Sequence, residues 1–153
     1  MQESVDLNIR IALCEPASPA ELEDYYELRW QELRAPWGQP RGSERDEFED
    51  TACHLLARND AGEPIGVGRI HWNSDDEARI RYMATHRDHR GRGVGAAIIE
   101  RLEQIARERG TRHIVINARQ RAVPFYEKLG YTVISDGETL FGVIPHKRMH
   151  KQL

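Results

Sequence analysis

Arg90-Gly91-Arg92-Gly93-Val94-Gly95 is the stretch on which the reading of this chain turns. A strand-like run from Ala78 to Thr85 leads toward it. A helical run leaves it, with Val94, Ile98, Leu102 and Ile105 on one stripe and Gly110 placed to end the helix after Arg109. Unpaired amides at a helix N-terminus, aided by the helix dipole, hold phosphate oxygens. Gly93 and Gly95 matter by lacking side chains, because the backbone can then turn and approach a diphosphate closely, and Arg90 and Arg92 can add charge-assisted hydrogen bonds. The loop is not G-x-G-x-x-G, lacks a Walker lysine, and no acidic residue closes a second parallel strand, which argues against dinucleotide and NTPase sites. The competing reading is a glycine-rich turn packed tightly on a sheet.

Working outward, Asn8 to Leu13 places Ile9, Ile11 and Leu13 on one face, the period-two pattern of a half-buried strand. Ser18-Pro19-Ala20-Glu21 supplies a helix with an N-cap serine, a proline at the first position and a capping-box glutamate. Leu22, Tyr26, Trp30 and Leu33 recur at helical spacing and read as its core stripe. Pro36, Gly38, Pro40 and Gly42 end it in a loop, a candidate substrate wall, after which Ser43 to Phe48 reads as a short helix capped by Ser43. Cys53 to Arg58 and Ile65 to Trp72 flank a turn at 59–64 and form a hairpin, and 73–77 turns the chain into the run from Ala78. Beyond the long helix, His113 to Asn117 is a short buried-type strand and Ala122 to Leu129 a short helix closed by Gly130. Tyr131 to Ile134 and Phe141 to Met149 are the last strands. Strands that precede helices run parallel and the early ones form hairpins. The sheet is therefore expected to be mixed, with helices packed on it, in an α/β or α+β fold of one domain over residues 1–153.

A second constellation follows the strand at 113–117: Asn117-Ala118-Arg119-Gln120-Arg121-Ala122-Val123-Pro124-Phe125-Tyr126-Glu127-Lys128-Leu129-Gly130-Tyr131. With the glycine loop it resembles the GNAT N-acetyltransferase superfamily. Arg90 to Gly95 matches that family's R-x-x-G-x-G signature, Asn117 to Tyr131 its N-A-x-x-x-A-x-x-F-Y-x-K-x-G-[FY] pattern, and the element order agrees along nearly the whole chain. Glu21 to Tyr26, Gln39 to Asp46 and Arg79 to Ala84 also look like the acetyltransferase half of bacterial bifunctional acetyltransferase–thioesterase proteins. With the sequence ending at Leu153, no linked thioesterase is expected, while a separate thioesterase partner is compatible.

The resemblance implies a mixed sheet in which the parallel strands 78–85 and 113–117 splay apart and admit the pantetheine arm of acetyl-CoA. Main-chain groups of Met83, Ala84 and Thr85 would pair with its amides, as an added strand pairs with a sheet edge. Arg90, Gly91, Arg92, Gly93, Val94 and Gly95 would hold its diphosphate, and Asn117 would bind the arm through its side chain. Phe125 lies in the same cofactor-side motif, although by itself it reads as packing. Tyr126 resembles the family's general acid, which protonates the departing coenzyme A thiolate. An ordinary phenol titrates near ~10 and a thiol near ~8.5, so the hydroxyl stays protonated at neutral pH. A main-chain amide near Met83 or Ala84 would stabilise the developing oxyanion. The implied activity is direct acetyl transfer to a primary amine of a small molecule or peptide. The rival is a non-catalytic acyl-CoA sensor, or a docking module for a separate thioesterase.

Glu44, His54, His71 and Glu77 are chemically able to act as general base, each with a structural role as the competing reading. Arg79 and Arg81 alternate with Ile80 and Tyr82 on the strand leading to the loop. Arg81, nearer the splay, is a candidate clamp for a substrate carboxylate, against a salt bridge to an acid such as Glu44, Asp46 or Glu49, or plain exposure at the strand start. Cys14 and Cys53 have no metal-ligand spacing and read as free thiols without chemistry, and no metal is expected. A net charge of −3 with interspersed signs gives no nucleic-acid footprint. No apolar run approaches a membrane span and the N-terminus has no signal character, so a cytoplasmic protein is expected. The oligomeric state is open between monomer and homodimer.

Overall fold

The computed structural model describes residues 10–153. Seven strands form a mixed sheet with the order β1-β2-β3-β4-β5-β7-β6. They are β1 (Ala12–Cys14), β2 (Cys53–Arg58), β3 (Pro64–Trp72), β4 (Glu77–Thr85), β5 (His113–Arg119), β6 (Thr132–Leu140) and β7 (Ile144–Gln152). The helices are α1 (Pro19–Leu33), α2 (Val94–Glu108) and α3 (Val123–Lys128). The α/β expectation with a parallel strand pair thus holds. β4 and β5 run parallel from Glu77 opposite His113 to Ile80 opposite Ile116, and their ladder stops there although both strands continue.

The chain divides into two compact units, one comprising residues through Arg69 plus Tyr82–Leu102 and the other Ile70–Arg81 plus Glu103–Leu153. In the first, α1 begins as the sequence indicates: Ser18 Oγ accepts the Glu21 N–H, and Glu21 accepts the Ser18 N–H in return. Its buried face differs from the expected stripe. Tyr25, Tyr26, Leu28 and Arg29 are buried, while Trp30 is only half-buried and donates its indole N–H to the Gln39 carbonyl. Tyr25, Tyr26 and Leu28 pack with Leu56, Val67 and Ala84, and Cys14, Leu22 and Leu33 lie against that cluster. α2 meets β3 closely, because a Cβ on Gly66 would fall 2.5 Å from Val94 and one on Gly68 2.6 Å from Ile98. Only glycine lets the helix that opens the phosphate-type loop lie this near the strand.

In the second unit β7 pairs antiparallel with both β5 and β6, and bulges interrupt the β6 register. Ile114, Ile116, Ala118 and Met149 are buried. Tyr131 is buried beside Glu103, to which its hydroxyl donates at 2.8 Å.

Three local expectations are corrected. Residues 43–48 form consecutive turns rather than a helix. The Asp46 and Glu49 carboxylates are drawn onto Arg69 and Arg29, and Glu49 also takes the Asp46 N–H, so these groups serve an ion cluster instead of a helical ladder. Phe141 does not begin the last strand. It sits in the β6–β7 turn with φ 53°, followed by Gly142 at φ 72° and closed by the Val143 N–H on the Leu140 carbonyl, a turn whose twist suits a hairpin. The first strand is Ala12–Cys14, later than the alternation placed it, and Asn8 and Ile9 lie outside the described residues.

Candidate active site

The glycine loop lies in the first unit. Gly91 and Gly93 have φ 77° and 86°, and a Cβ on either would meet nothing within 4 Å. The backbone there is left-handed and open on the side a side chain would occupy. The first helical bond of α2 runs from the Ala97 N–H to the Gly93 carbonyl, so the amides of Val94, Gly95 and Ala96 have no acceptor within the helix. Val94 is buried and anchors that turn, and Arg92 is half-buried. Arg90, exposed beside the loop, also has a protein partner. Its guanidinium binds Glu32 of α1 at 2.7 Å, and the same carboxylate accepts the Arg87 N–H at 3.3 Å. Arg90 thereby braces the loop from outside. On β4, Met83 and Thr85 are half-buried and Ala84 is buried, immediately before the turn at 87–89.

Below the loop the same unit holds a cluster that sequence reasoning missed. Arg29 and Arg69 have no exposed side-chain surface. Arg29 donates to Glu49 at 3.0 Å, to the Glu44 carbonyl at 3.0 Å and to the Tyr25 hydroxyl at 2.6 Å. Arg69 donates to Glu49 at 2.8 Å and to Asp46 at 3.0 Å. Burial pushes the Glu49 carboxyl up, but Arg29, the Asp46 N–H and Arg69 together bring it below the usual carboxylate range. His54 Nε2 faces the Glu49 carbonyl at 2.8 Å, so that nitrogen carries the proton, and Nδ1 accepts from the Tyr25 hydroxyl at 2.7 Å. Burial also lowers the His54 pKa, which keeps the ring neutral. With both nitrogens committed, His54 has a structural role. The only hint in the sequence was Arg29 at the i+3 and i+4 positions from Tyr26 and Tyr25, on the face of α1 that turns inward.

The second unit holds Asn117, Phe125, Tyr126 and Arg81. Asn117 lies on β5, and its Oδ1 is buried with no donor among the described residues; a Cβ on Gly137 would come 2.1 Å from it. Tyr126 is 6% exposed, with its ring edge-on to Phe125 and Tyr131 at 4.9 and 5.9 Å between centroids. Its main-chain carbonyl accepts the N–H groups of Leu129 and Tyr131, which fixes the end of α3. Its hydroxyl makes no hydrogen bond among the described residues, and burial raises its pKa. Phe125 is partly exposed beside it. Arg81 is half-buried on β4 and already engaged in a contact. Of the other candidate bases, Glu77 accepts from Asn73 at 2.7 Å and pairs with His113 at 2.8 Å; these bonds hold its carboxyl below the usual range. His71 and Glu44 are buried, and Glu44 takes the Gly42 N–H at 2.7 Å. Cys14 and Cys53 are free and half-buried, and burial pushes the Cys14 thiol up, away from reactivity.

A mixed sheet with a parallel β4–β5 pair, whose β4 leads through an open, left-handed glycine loop into α2, is the arrangement of an acetyltransferase fold. The chain belongs to the Acetyltransferase (GNAT) family, whose pattern matches residues 22–131. It is 34% identical over 132 residues to the uncharacterized N-acetyltransferase YjcF of Bacillus subtilis, covering 86% of this chain and 92% of that one. Its fold is similar to a Lactobacillus plantarum protein of known crystal structure, with TM-score 0.81, 28% identity, and 94% and 98% of the two chains covered. It is also similar in fold to an aminoglycoside 6'-N-acetyltransferase complexed with coenzyme A, at TM-score 0.75 and 16% identity, covering 94% of this chain and 96% of that one. A GNAT family acetyltransferase from Elizabethkingia anophelis with acetyl-CoA bound aligns at TM-score 0.71 and 15% identity, over 95% and 99% of the chains. Among the described residues no helix is long and apolar enough to cross a membrane, and no cluster of ligands suits a metal.

Proposed function

We propose that this chain transfers the acetyl group of acetyl-CoA directly to a primary amine of a small molecule or peptide. The observation that carries the reading is the open glycine loop at the start of α2, where left-handed Gly91 and Gly93 leave room for a diphosphate against unbonded amides. Acetyl-CoA supplies an activated thioester carbonyl. The chain's own groups then divide the work. The amides of Val94 and Gly95, with Arg92, hold the diphosphate. Main-chain groups of Met83, Ala84 and Thr85 pair with the pantetheine amides, and an N–H at Met83 or Ala84 meets the negative charge that grows on the carbonyl oxygen. The unsatisfied acceptor on Asn117 is costly for the fold alone, and a ligand amide offers it a donor.

Tyr126 holds the proton that the departing sulfur takes. Its hydroxyl is not committed to any described residue, and burial keeps it protonated well above neutral pH. Phe125 flanks it edge-on and limits its motion. For the acceptor, we propose an amine that also carries a carboxylate. Arg81 is half-buried on the strand that leads to the glycine loop, and its guanidinium is a planar fork of five donors, the geometry that a carboxylate accepts in bidentate fashion. An amino acid should then be preferred over its amide, and Arg81→Gln should erase that preference. Equal selectivity in both proteins removes the clamp.

The cofactor assignment is tested by thermal melting with acetyl-CoA. The melting temperature should rise with the logarithm of ligand excess in the native chain and stay flat in Gly93→Val, whose side chain would be forced into left-handed backbone and block the phosphate approach. A folded Gly93→Val protein that binds coenzyme A as tightly as the native chain would overturn the loop assignment.

A further inference from the structure

Tyr82 interrupts β4 with φ 59°, a left-handed conformation that a bulky residue in mid-strand adopts only at a cost. It falls two residues after the last β4–β5 pair, Ile80 with Ile116, and directly before Met83, Ala84 and Thr85. Its backbone angle therefore sets the direction in which those three residues present their N–H and C=O groups. A relaxed, negative φ would swing them away.

Three guanidiniums surround the Tyr82 ring. Arg29 Cζ lies 4.3 Å from its centroid, Arg69 4.9 Å and Arg34 5.6 Å. The first two are fully buried, and Glu49 and Asp46 balance their charge. Replacing such a buried ion cluster with apolar side chains is often neutral or stabilising, so fold stability alone does not account for it. Hydrogen bonds to Glu49, the Glu44 carbonyl and Tyr25 use the two terminal nitrogens of Arg29, but its Nε is buried with no acceptor among the described residues. The guanidinium gives up that bond while keeping its face near an aromatic ring, where a cation is attracted to the π cloud.

We infer that Arg29 and Arg69 are positioning residues that grip the Tyr82 ring and hold β4 in its left-handed turn, thereby aiming the Met83–Thr85 main chain. The inference rests on the reading of that main chain as the pantetheine strand. It adds the element that fixes its direction. Tyr25, His54 and the Glu49 carbonyl complete the support through the hydrogen bonds Arg29→Tyr25→His54→Glu49.

Coenzyme A affinity by calorimetry, with melting temperature measured in parallel, distinguishes a grip on backbone from simple packing. Leucine at this position keeps the steric cost of left-handed backbone but offers no π face, whereas glycine takes that conformation freely. Tyr82→Leu should bind coenzyme A roughly ten- to thirtyfold more weakly than the native chain, the ratio that a left-handed penalty of this size produces. Tyr82→Gly should stay within about threefold of the native chain in affinity, while having the lower melting temperature of the two because it leaves the larger cavity. The affinity and stability orders should thus be opposite. Arg69→Met should weaken binding in the Tyr82 background and much less when combined with Tyr82→Gly, which also covers the case in which an Arg29 variant fails to fold. If Tyr82→Gly binds more weakly than Tyr82→Leu, or Arg69→Met costs the same affinity in both backgrounds, Tyr82 is a packing residue and the inference falls. A native chain that does not bind coenzyme A overturns the cofactor reading itself, and this inference with it.

Discussion

Arg29 and Arg69 in the first unit have no exposed side-chain surface, whereas Lys151, the cation nearest buried Glu103 in the second, keeps 22% of its side chain in water. Glu103 takes hydrogen bonds from Tyr131 at 2.8 Å and Lys151 at 3.0 Å, with Arg107 at 3.8 Å. It can lose a partner and still be served by another or by water. Glu49 has less margin, because among the described residues it is the one carboxylate bonded to buried Arg29 and one of two bonded to buried Arg69. The difference is one of consequence: a charge pair that reaches solvent is forgiving, while a closed buried cluster transmits any loss to whatever it holds, here the strained backbone at Tyr82.

The comparison can be broken from its strong side first. Glu49→Ala should cost about 3–5 kcal/mol in urea unfolding, since it leaves buried Arg29 without its carboxylate and buried Arg69 with Asp46 alone. Tyr126→Phe should lower turnover by about ten- to a thousandfold, roughly 1.4–4 kcal/mol of barrier, and leave coenzyme A affinity unchanged. Unchanged turnover removes Tyr126 from the chemistry. Lys151→Met should cost less than Glu49→Ala, roughly 1–3 kcal/mol by the same unfolding measurement. Equal losses from Lys151→Met and Glu49→Ala would erase the distinction between the two regions.

The smallest effect is that of pH. The folded pKa values of His54 and Glu49 lie below their ordinary values of 6.5 and 4.5. Groups depressed on folding give stability that is present above the unfolded pKa and lost as pH falls. Unfolding titrations should therefore show stability declining below about pH 6.5 through His54 and further below about pH 4.5 through Glu49. Tyr126 has the opposite sign: its raised pKa gives stability that is intact below about pH 10 and lost only as pH rises beyond it. His54→Gln should flatten the upper part of the acid limb and leave the lower part in place.

The fold was largely legible because its punctuation is local. The Ser18 capping box, the glycine loop and Gly130 after α3 each act through neighbours in sequence, and they mark elements the structure contains. The cluster around Arg29 was not legible. Arginine inside a helix normally signals a solvated face, and the long-range partners of Arg29, the Glu44 carbonyl, Glu49 and Tyr82, lie 15 to 53 positions away with no periodicity to connect them. The same long-range pull drew Asp46 out of the expected helix at 43–48, with Glu49 directly after it. The Arg90–Glu32 pair was not legible either, because nothing in the sequence couples residues 58 positions apart.

Release of free coenzyme A thiol from acetyl-CoA, followed across a panel of amines, amino acids and peptides, tests the central claim most directly. The account predicts release that depends on a primary amine, saturates with it, and falls by about ten- to a thousandfold in Tyr126→Phe at unchanged cofactor affinity. Tight binding of acetyl-CoA with no amine-dependent release across the panel would contradict it, and would make this chain a sensor of the cofactor rather than an enzyme.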